Sequence, residues 1–138
     1  MLKKLCLIIL VIALALGFNL SRAKPVFYGV NDRVEVYLSN PSSTAEIKTV
    51  SLLEYKCLTN VVGESVQMLK NDFDLDKFLD KYSAKIRFTE NTEHGVSYYA
   101  YSNKIKYKKV VKNTLVNIQI HISKALVKIG SPIIFGSF

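Results

Sequence analysis

A short basic stretch in the C-terminal third has the residue types and spacing best suited to binding. It reads Lys104-Ile105-Lys106-Tyr107-Lys108-Lys109. If the stretch is a strand, alternate side chains point to opposite faces, so Lys104, Lys106 and Lys108 share one face at intervals of about 7 Å. Such a row could follow the phosphates of a lipid surface or of a wall polymer such as teichoic acid.

Further lysines and tyrosines lie close to this stretch in the sequence. Tyr98, Tyr99 and Tyr101 precede it and could stack on sugar rings or single-stranded nucleic acid. We predict a contact surface for an anionic partner that is made of Lys104, Lys106, Lys108, Lys109, Lys112, Tyr101 and Tyr107. In the alternative interpretation the lysines only prevent an edge strand from pairing with other molecules.

The distribution of charge also favours an anionic partner. The chain carries a net charge of +8, and residues 94–138 contain seven lysines and no acidic residue. Residues 24–93 contain nine basic and eleven acidic side chains. Such asymmetry is typical of proteins that meet an anionic surface, although a modest excess of lysine can also serve solubility alone.

Catalytic and metal-binding patterns are weak. After the N-terminal segment, the Cys and His residues are Cys57, His94 and His121, and no motif joins them. We expect Cys57 to be a small buried apolar residue, although a reactive thiol beside a His stays an alternative. The acids of residues 72–76 imitate a calcium loop, but Lys77 replaces its glycine and Ser83 its bidentate glutamate. We therefore predict no enzyme activity, no metal and no cofactor.

Residues 1–23 have the three-part pattern of a secretory signal peptide. Lys3 and Lys4 precede an apolar run of 14 residues, and small residues frame a cleavage site after Ala23. The run is shorter than the roughly 20 residues that span a bilayer. We predict a signal peptide at 1–23 and one exported domain at 24–138, and an uncleaved anchor is the alternative. The absence of a cysteine pair after residue 23 points to a bacterial envelope protein.

Strand patterns dominate the exported part. Apolar and polar residues alternate over 33–38, which predicts a strand, and a second strand over 46–51 is expected to return beside it as a hairpin with a turn at 40–43. Gly63 is expected to break the segment that follows. One helix is predicted over 75–83, with Asp74 as its N-cap and a contact between Phe73 and Phe78. Further strands are predicted over 85–89, 96–102, 105–111, 116–122 and 126–129.

These elements predict an α+β fold, in which an antiparallel meander packs against one main helix. Asn117, Gln119 and His121 alternate with the isoleucines of the strand 116–122. We interpret this polar row as the solvated face of the sheet, and the alternative is a row that faces a ligand.

The end of the chain resembles a known family. The segments at 96–102, at 116–120 (VNIQI) and at 127–134 (VKIGSPII) are similar to the last part of the YwmB-type family. That family consists of exported proteins of endospore-forming Gram-positive bacteria, its biochemical function is not established, and its fold is likened to the TATA-box-binding protein. The resemblance implies an extracytoplasmic α+β protein and does not imply DNA binding, because an exported protein does not meet a promoter.

We therefore expect a non-catalytic binding domain of the bacterial envelope. Its partner would be an anionic membrane surface or wall polymer. The alternative is a protein-interaction module that uses a sheet edge or the apolar C-terminal tail over 133–138. We do not expect nucleic acid as a partner.

Overall fold

The computed structural model of the chain describes residues 1–20, 24–39 and 46–136. The predicted cleavage site, the predicted turn at 40–43 and the last two residues therefore lie outside the described residues. Helix α1 (Leu2–Leu20) begins the chain, and its side chains over residues 3–15 are exposed. Within the described ranges, none of the helices is long and apolar enough to cross a membrane.

Among the described residues, seven strands form one sheet that is antiparallel throughout, and two more form a separate hairpin. Numbered in chain order and given from one edge to the other, the strands of the sheet are β2 (Glu46–Ser51), β1 (Arg33–Leu38), β3 (Val61–Leu69), β9 (Leu126–Ser131), β8 (Ile118–Ile122), β5 (Gly95–Tyr101) and β4 (Lys85–Thr92). The separate hairpin consists of β6 (Lys109–Val111) and β7 (Thr114–Val116). The predicted α+β class with an antiparallel sheet is confirmed.

Three of the strand predictions need correction. The strand predicted over 116–122 is interrupted at Asn117, so that Val116 belongs to β7 and only Ile118–Ile122 forms β8. The strand predicted over 105–111 forms only at β6, and residues 105–108 are a loop. Gly63 does not break its segment but lies inside β3. A Cβ atom at Gly63 would lie 2.7 Å from the carbonyl oxygen of Ser131, so glycine is what allows the chain to pass this closely.

Three short helical segments follow β2 or β3: α2 (Leu52–Lys56), a 3-10 turn (Lys70–Asp72) and α3 (Leu75–Tyr82). The prediction for α3 is confirmed. The carboxylate of Asp74 accepts a hydrogen bond of 3.1 Å from the Lys77 amide, and the rings of Phe73 and Phe78 lie 5.7 Å apart. The helix ends at Ser83, whose φ of 50° is left-handed.

One face of the sheet, which we call the apolar face, packs beneath α3. Its side chains come from alternate residues of the central strands, as the sequence predicted for β1 and β8. Phe78 and Tyr82 of α3 join this core, together with Phe27 from the segment before β1. The buried sheet residues of this core include Val34, Val36, Val66, Ala100, Ile118, Ile120, Val127 and Ile129.

The opposite face, which we call the polar face, is also buried. Gln119 and His121 are each only 3% exposed, and Asn117, at the break between β7 and β8, is fully buried. The prediction that this row is solvated is therefore wrong. Residues 132–136 and the β6–β7 hairpin contact this face, and the backbone amide of Ile134 donates a hydrogen bond of 3.0 Å to the Gln119 side chain.

Candidate functional site

Three of the predicted binding lysines lie together on one loop, residues 102–108, which we call the lysine loop. Lys104, Lys106 and Lys108 are exposed, whereas Ile105 is buried and Tyr107 half-buried. The exposure alternates as in a strand, although these residues pair with no strand. Within the described ranges, no carboxylate oxygen lies within 4.0 Å of these three ammonium groups.

Buried polar contacts hold the lysine loop in place. The Asn117 side chain donates to the carbonyl oxygens of Ser102 (2.6 Å) and Ile105 (3.2 Å) and accepts from the Ser102 amide (2.8 Å). The Ser102 hydroxyl donates to the Tyr82 carbonyl at the end of α3. The loop is therefore fixed at its start and at Ile105, and its lysine side chains extend from a fixed backbone.

Tyr107 belongs to a buried network rather than to the exposed surface. Its hydroxyl lies 3.4 Å from that of Tyr55, which donates to the fully buried carboxylate of Glu64 at 3.0 Å. The backbone amide of Phe27 donates to the other Glu64 oxygen at 3.0 Å. Burial raises the pKa of Glu64, and these hydrogen bonds oppose that shift only in part.

The remaining predicted contact residues are engaged elsewhere. Lys112 forms an ion pair with Glu90, and the Lys109 ammonium lies 5.2 Å from the centre of the Phe135 ring. Tyr101 is half-buried, and the Arg87 guanidinium lies 5.5 Å from the centre of its ring. The predicted seven-residue surface is therefore divided. Lys104, Lys106 and Lys108 remain on the lysine loop without an ion pair among the described residues, and the Lys106 ammonium lies 4.9 Å from the centre of the Tyr107 ring.

The residues considered for catalysis lie in different surroundings. Cys57 is exposed, which corrects the prediction that it is buried, and its Sγ donates to the Leu53 carbonyl at 3.6 Å. His121 Nδ1 lies 2.9 Å from the Ser97 hydroxyl, but Ser97 is only 1% exposed, so a substrate could not reach it. Burial and, to a smaller extent, the charge of His94 lower the pKa of His121, which is therefore neutral at pH 7.

Metal binding finds no support in the part of the chain that the structure describes. No group of three or more His, Cys, Asp or Glu residues there is arranged to hold a metal ion. Asp74, from the segment that imitates a calcium loop, instead caps α3.

Sequence reasoning missed a second basic region. A groove of about 1050 Å³ lies where the β4–β5 and β8–β9 turns meet, and Lys70, Lys124 and Lys128 line it. Lys124 and Lys128 belong to the basic C-terminal region, but Lys70 is far from them in sequence. The C-terminal charge excess was the one signal that pointed toward this region.

Comparison with known proteins finds no similar protein. No family model matches the chain, and neither a curated protein nor a solved structure is significantly similar to it. Membership of the YwmB-type family therefore stays a prediction.

Proposed function

We propose that this chain is an exported, non-catalytic binding domain of the bacterial cell envelope that contacts an anionic membrane surface or wall polymer through Lys104, Lys106 and Lys108. One observation carries the proposal: three exposed ammonium groups project from a single anchored loop, without a carboxylate partner among the described residues. The signal-peptide pattern of residues 1–23 supports export.

The anchoring of the lysine loop favours binding in free-energy terms. A fixed backbone loses little further conformational entropy when a partner binds, so more of the electrostatic attraction appears as affinity. A lysine close to an anionic membrane contributes about 1 kcal/mol, and salt screens this attraction. Lys109 and Lys112 are left out of the contact surface because they lie on the β6–β7 hairpin rather than on the lysine loop, and there they contact Phe135 and Glu90.

The test is co-sedimentation of the full chain with anionic vesicles, neutral vesicles and isolated cell wall, at low and high salt. The triple variant K104Q/K106Q/K108Q is compared with K48Q/K81Q/K85Q, which removes the same charge from three exposed positions on other elements. The exposed apolar helix α1 is expected to contribute to binding with both anionic and neutral vesicles. The difference in binding between the two kinds of vesicle therefore measures the contribution of charge.

We expect wild-type binding to anionic material to fall as salt rises. The lysine-loop triple should weaken it roughly a hundredfold, which corresponds to about 3 kcal/mol, and the control triple should weaken it far less. Equal weakening by both triples would show that net charge alone is responsible. Binding that is insensitive to salt would contradict the proposal.

A protein-interaction module is the second candidate, and the open edges of the sheet favour it. Ile47 on β2 and Ile86 on β4 are 48% and 41% exposed on the two edge strands. The apolar tail is a weaker route, because Ile134 is buried against the sheet. The test is capture of an envelope protein by the wild-type chain. Loss of that capture in Ile47→Lys or Ile86→Lys, with the lysine loop intact, would favour this candidate.

A further inference from the structure

The groove at the turn end of the sheet is built by segments that are far apart in sequence. The backbone amide of Lys70 donates a hydrogen bond of 2.9 Å to the carbonyl of Ala125, which attaches the 3-10 turn to the β8–β9 turn that carries Lys124. Lys128 lies on β9, directly opposite His121 on β8. The fold thus brings three lysines to one groove.

These lysines differ in how firmly they are held. Lys128 has a side chain that is 17% exposed, and its Nζ lies 3.3 Å from Glu35 Oε2, which also accepts from the Ser65 hydroxyl at 2.8 Å. Lys70 and Lys124 are exposed, and neither has a carboxylate oxygen within 4.0 Å among the described residues. The lining includes a single acidic residue, Glu93. The groove therefore combines one fixed cation with two that are free to meet a ligand.

Apolar side chains share the same groove. Val96, Tyr98, Ile122 and Leu126 line it, and Leu126 is 38% exposed. A volume of about 1050 Å³ is at the upper end of the range of small-molecule pockets, roughly 300–1,000 Å³. Lysines alone would suit a bare ion, and apolar walls alone would suit a neutral compound. Their combination suits a ligand that has both kinds of group.

We propose that this groove binds a small anionic amphiphile, in which a phosphate or carboxylate group is attached to an aromatic or short acyl body. The anionic group would interact with Lys70 and Lys124, and the apolar body would pack against Tyr98 and Ile122, which share one face of the sheet. This site is separate from the lysine loop and does not depend on the function proposed above.

The experiment is an NMR titration of the ¹⁵N-labelled full chain with naphthyl phosphate, with inorganic phosphate and neutral naphthol as the two half-ligands. We expect naphthyl phosphate to shift the amide signals of residues 94–98 and 122–128, with an affinity roughly tenfold or more above either half-ligand. Signals of residues 3–15 report any binding to α1 separately. K70Q/K124Q should weaken the binding roughly tenfold, whereas K81Q/K85Q, with the same charge change at exposed positions outside the groove, should leave it within about twofold.

Each other outcome overturns the proposal. Inorganic phosphate that binds as tightly as naphthyl phosphate would identify a simple ion site. Naphthol that binds equally tightly would identify an apolar groove without a role for the lysines. Equal weakening by both double variants would show an effect of net charge, and shifts confined to residues 3–15 would show that the groove does not bind this class of ligand.

Discussion

Both faces of the central strands of the sheet are buried, but different interactions bury them. On the apolar face, Ile118 and Ile120 pack beneath α3 among other aliphatic and aromatic side chains. On the polar face, Gln119 alternates with them and is covered by the C-terminal segment, whose Ile134 amide it binds. Its Nε2 donates to the Tyr99 hydroxyl at 3.3 Å. The same strand therefore takes part in two kinds of core.

The difference matters because the hydrophobic effect is not directional, whereas a buried polar atom needs a partner in a defined position. An apolar face tolerates any cover that fits it. A polar face tolerates only a cover that supplies matching donors and acceptors, as residues 132–136 and the β6–β7 hairpin do here. We therefore expect the apolar face to account for more of the stability, and the polar face to be more sensitive to the identity of each residue.

The largest effect is expected from Ile120→Ala on the apolar face. Ile120 is fully buried in the centre of the core, so truncation loses its transfer free energy and leaves a cavity. We expect the free energy of unfolding to fall by about 3–4 kcal/mol, measured by urea denaturation. Ile86→Ala on the edge strand β4, where the side chain is 41% exposed, is the control and should lose less than about 1 kcal/mol. Similar losses for the two variants would contradict this picture of the core.

The next largest effect is expected from Gln119→Leu on the polar face. The variant keeps a side chain of similar size but leaves the Ile134 amide without its acceptor in a buried position. We expect a loss of about 2 kcal/mol in urea denaturation. Gln67→Leu, at an exposed position near the end of β3 on the same face, is the matched control and should change stability by less than about 0.5 kcal/mol. If neither variant changed the free energy of unfolding, the polar face would be solvated, as the sequence alone had predicted.

The features that the sequence predicted correctly are local. The bounds of β1 follow from alternation over six residues, and the start of α3 follows from Asp74 and the Phe73–Phe78 pair. Each of these signals uses residues that are neighbours in the chain, so a single sequence contains all the information that is needed.

The features that the sequence did not predict depend on distant residues. The alternation of Gln119 with isoleucines is the same whether water or residues 132–136 cover the polar side. Residues 105–108 have the pattern of a strand, but Asn117 holds the Ile105 carbonyl, and no strand pairs with them. The groove requires Lys70 to meet the β8–β9 turn across the sheet, which no local pattern indicates.

A smaller effect, and a gain rather than a loss in the free energy of unfolding, is expected from Glu64→Gln. This variant removes the buried carboxylate from the apolar face. Because burial raises the pKa of Glu64 in the folded state, the folded protein binds this proton more tightly than the unfolded chain. Wild-type stability is therefore fully present below the unfolded pKa of about 4.3 and is partly lost as pH rises through the folded pKa.

Glutamine keeps an acceptor for the Phe27 amide and offers a donor to the Tyr55 hydroxyl, which can turn its proton toward Tyr107. We expect Glu64→Gln to be more stable than the wild type at neutral pH, with an advantage that grows with pH by no more than about 1.4 kcal/mol per unit. Urea denaturation from about pH 4 to about pH 8 measures this, with the exposed Glu93→Gln as the control. An advantage that shrinks as pH rises would contradict the burial of a proton-binding carboxyl at residue 64.

The smallest effect is expected from Glu90→Gln beside the polar face, where the pH dependence reverses. The hydrogen bond from Lys112, then that from Tyr99, lowers the pKa of Glu90, so its stabilising contribution is present above the unfolded pKa and is lost as pH falls through the folded pKa. Because the pair is partly exposed, we expect a loss of less than about 1 kcal/mol at neutral pH, reduced by salt and absent in acid. Lys112→Gln should lower the free energy of unfolding by a similar amount. The double variant E90Q/K112Q should lose less stability than the sum of the two single losses. Additive losses of stability would show that the Lys112–Glu90 ion pair does not fasten the β6–β7 hairpin to the sheet. The segments that cover the polar face would then be held by other contacts, such as the hydrogen bonds of Gln119 with Tyr99 and with the Ile134 amide.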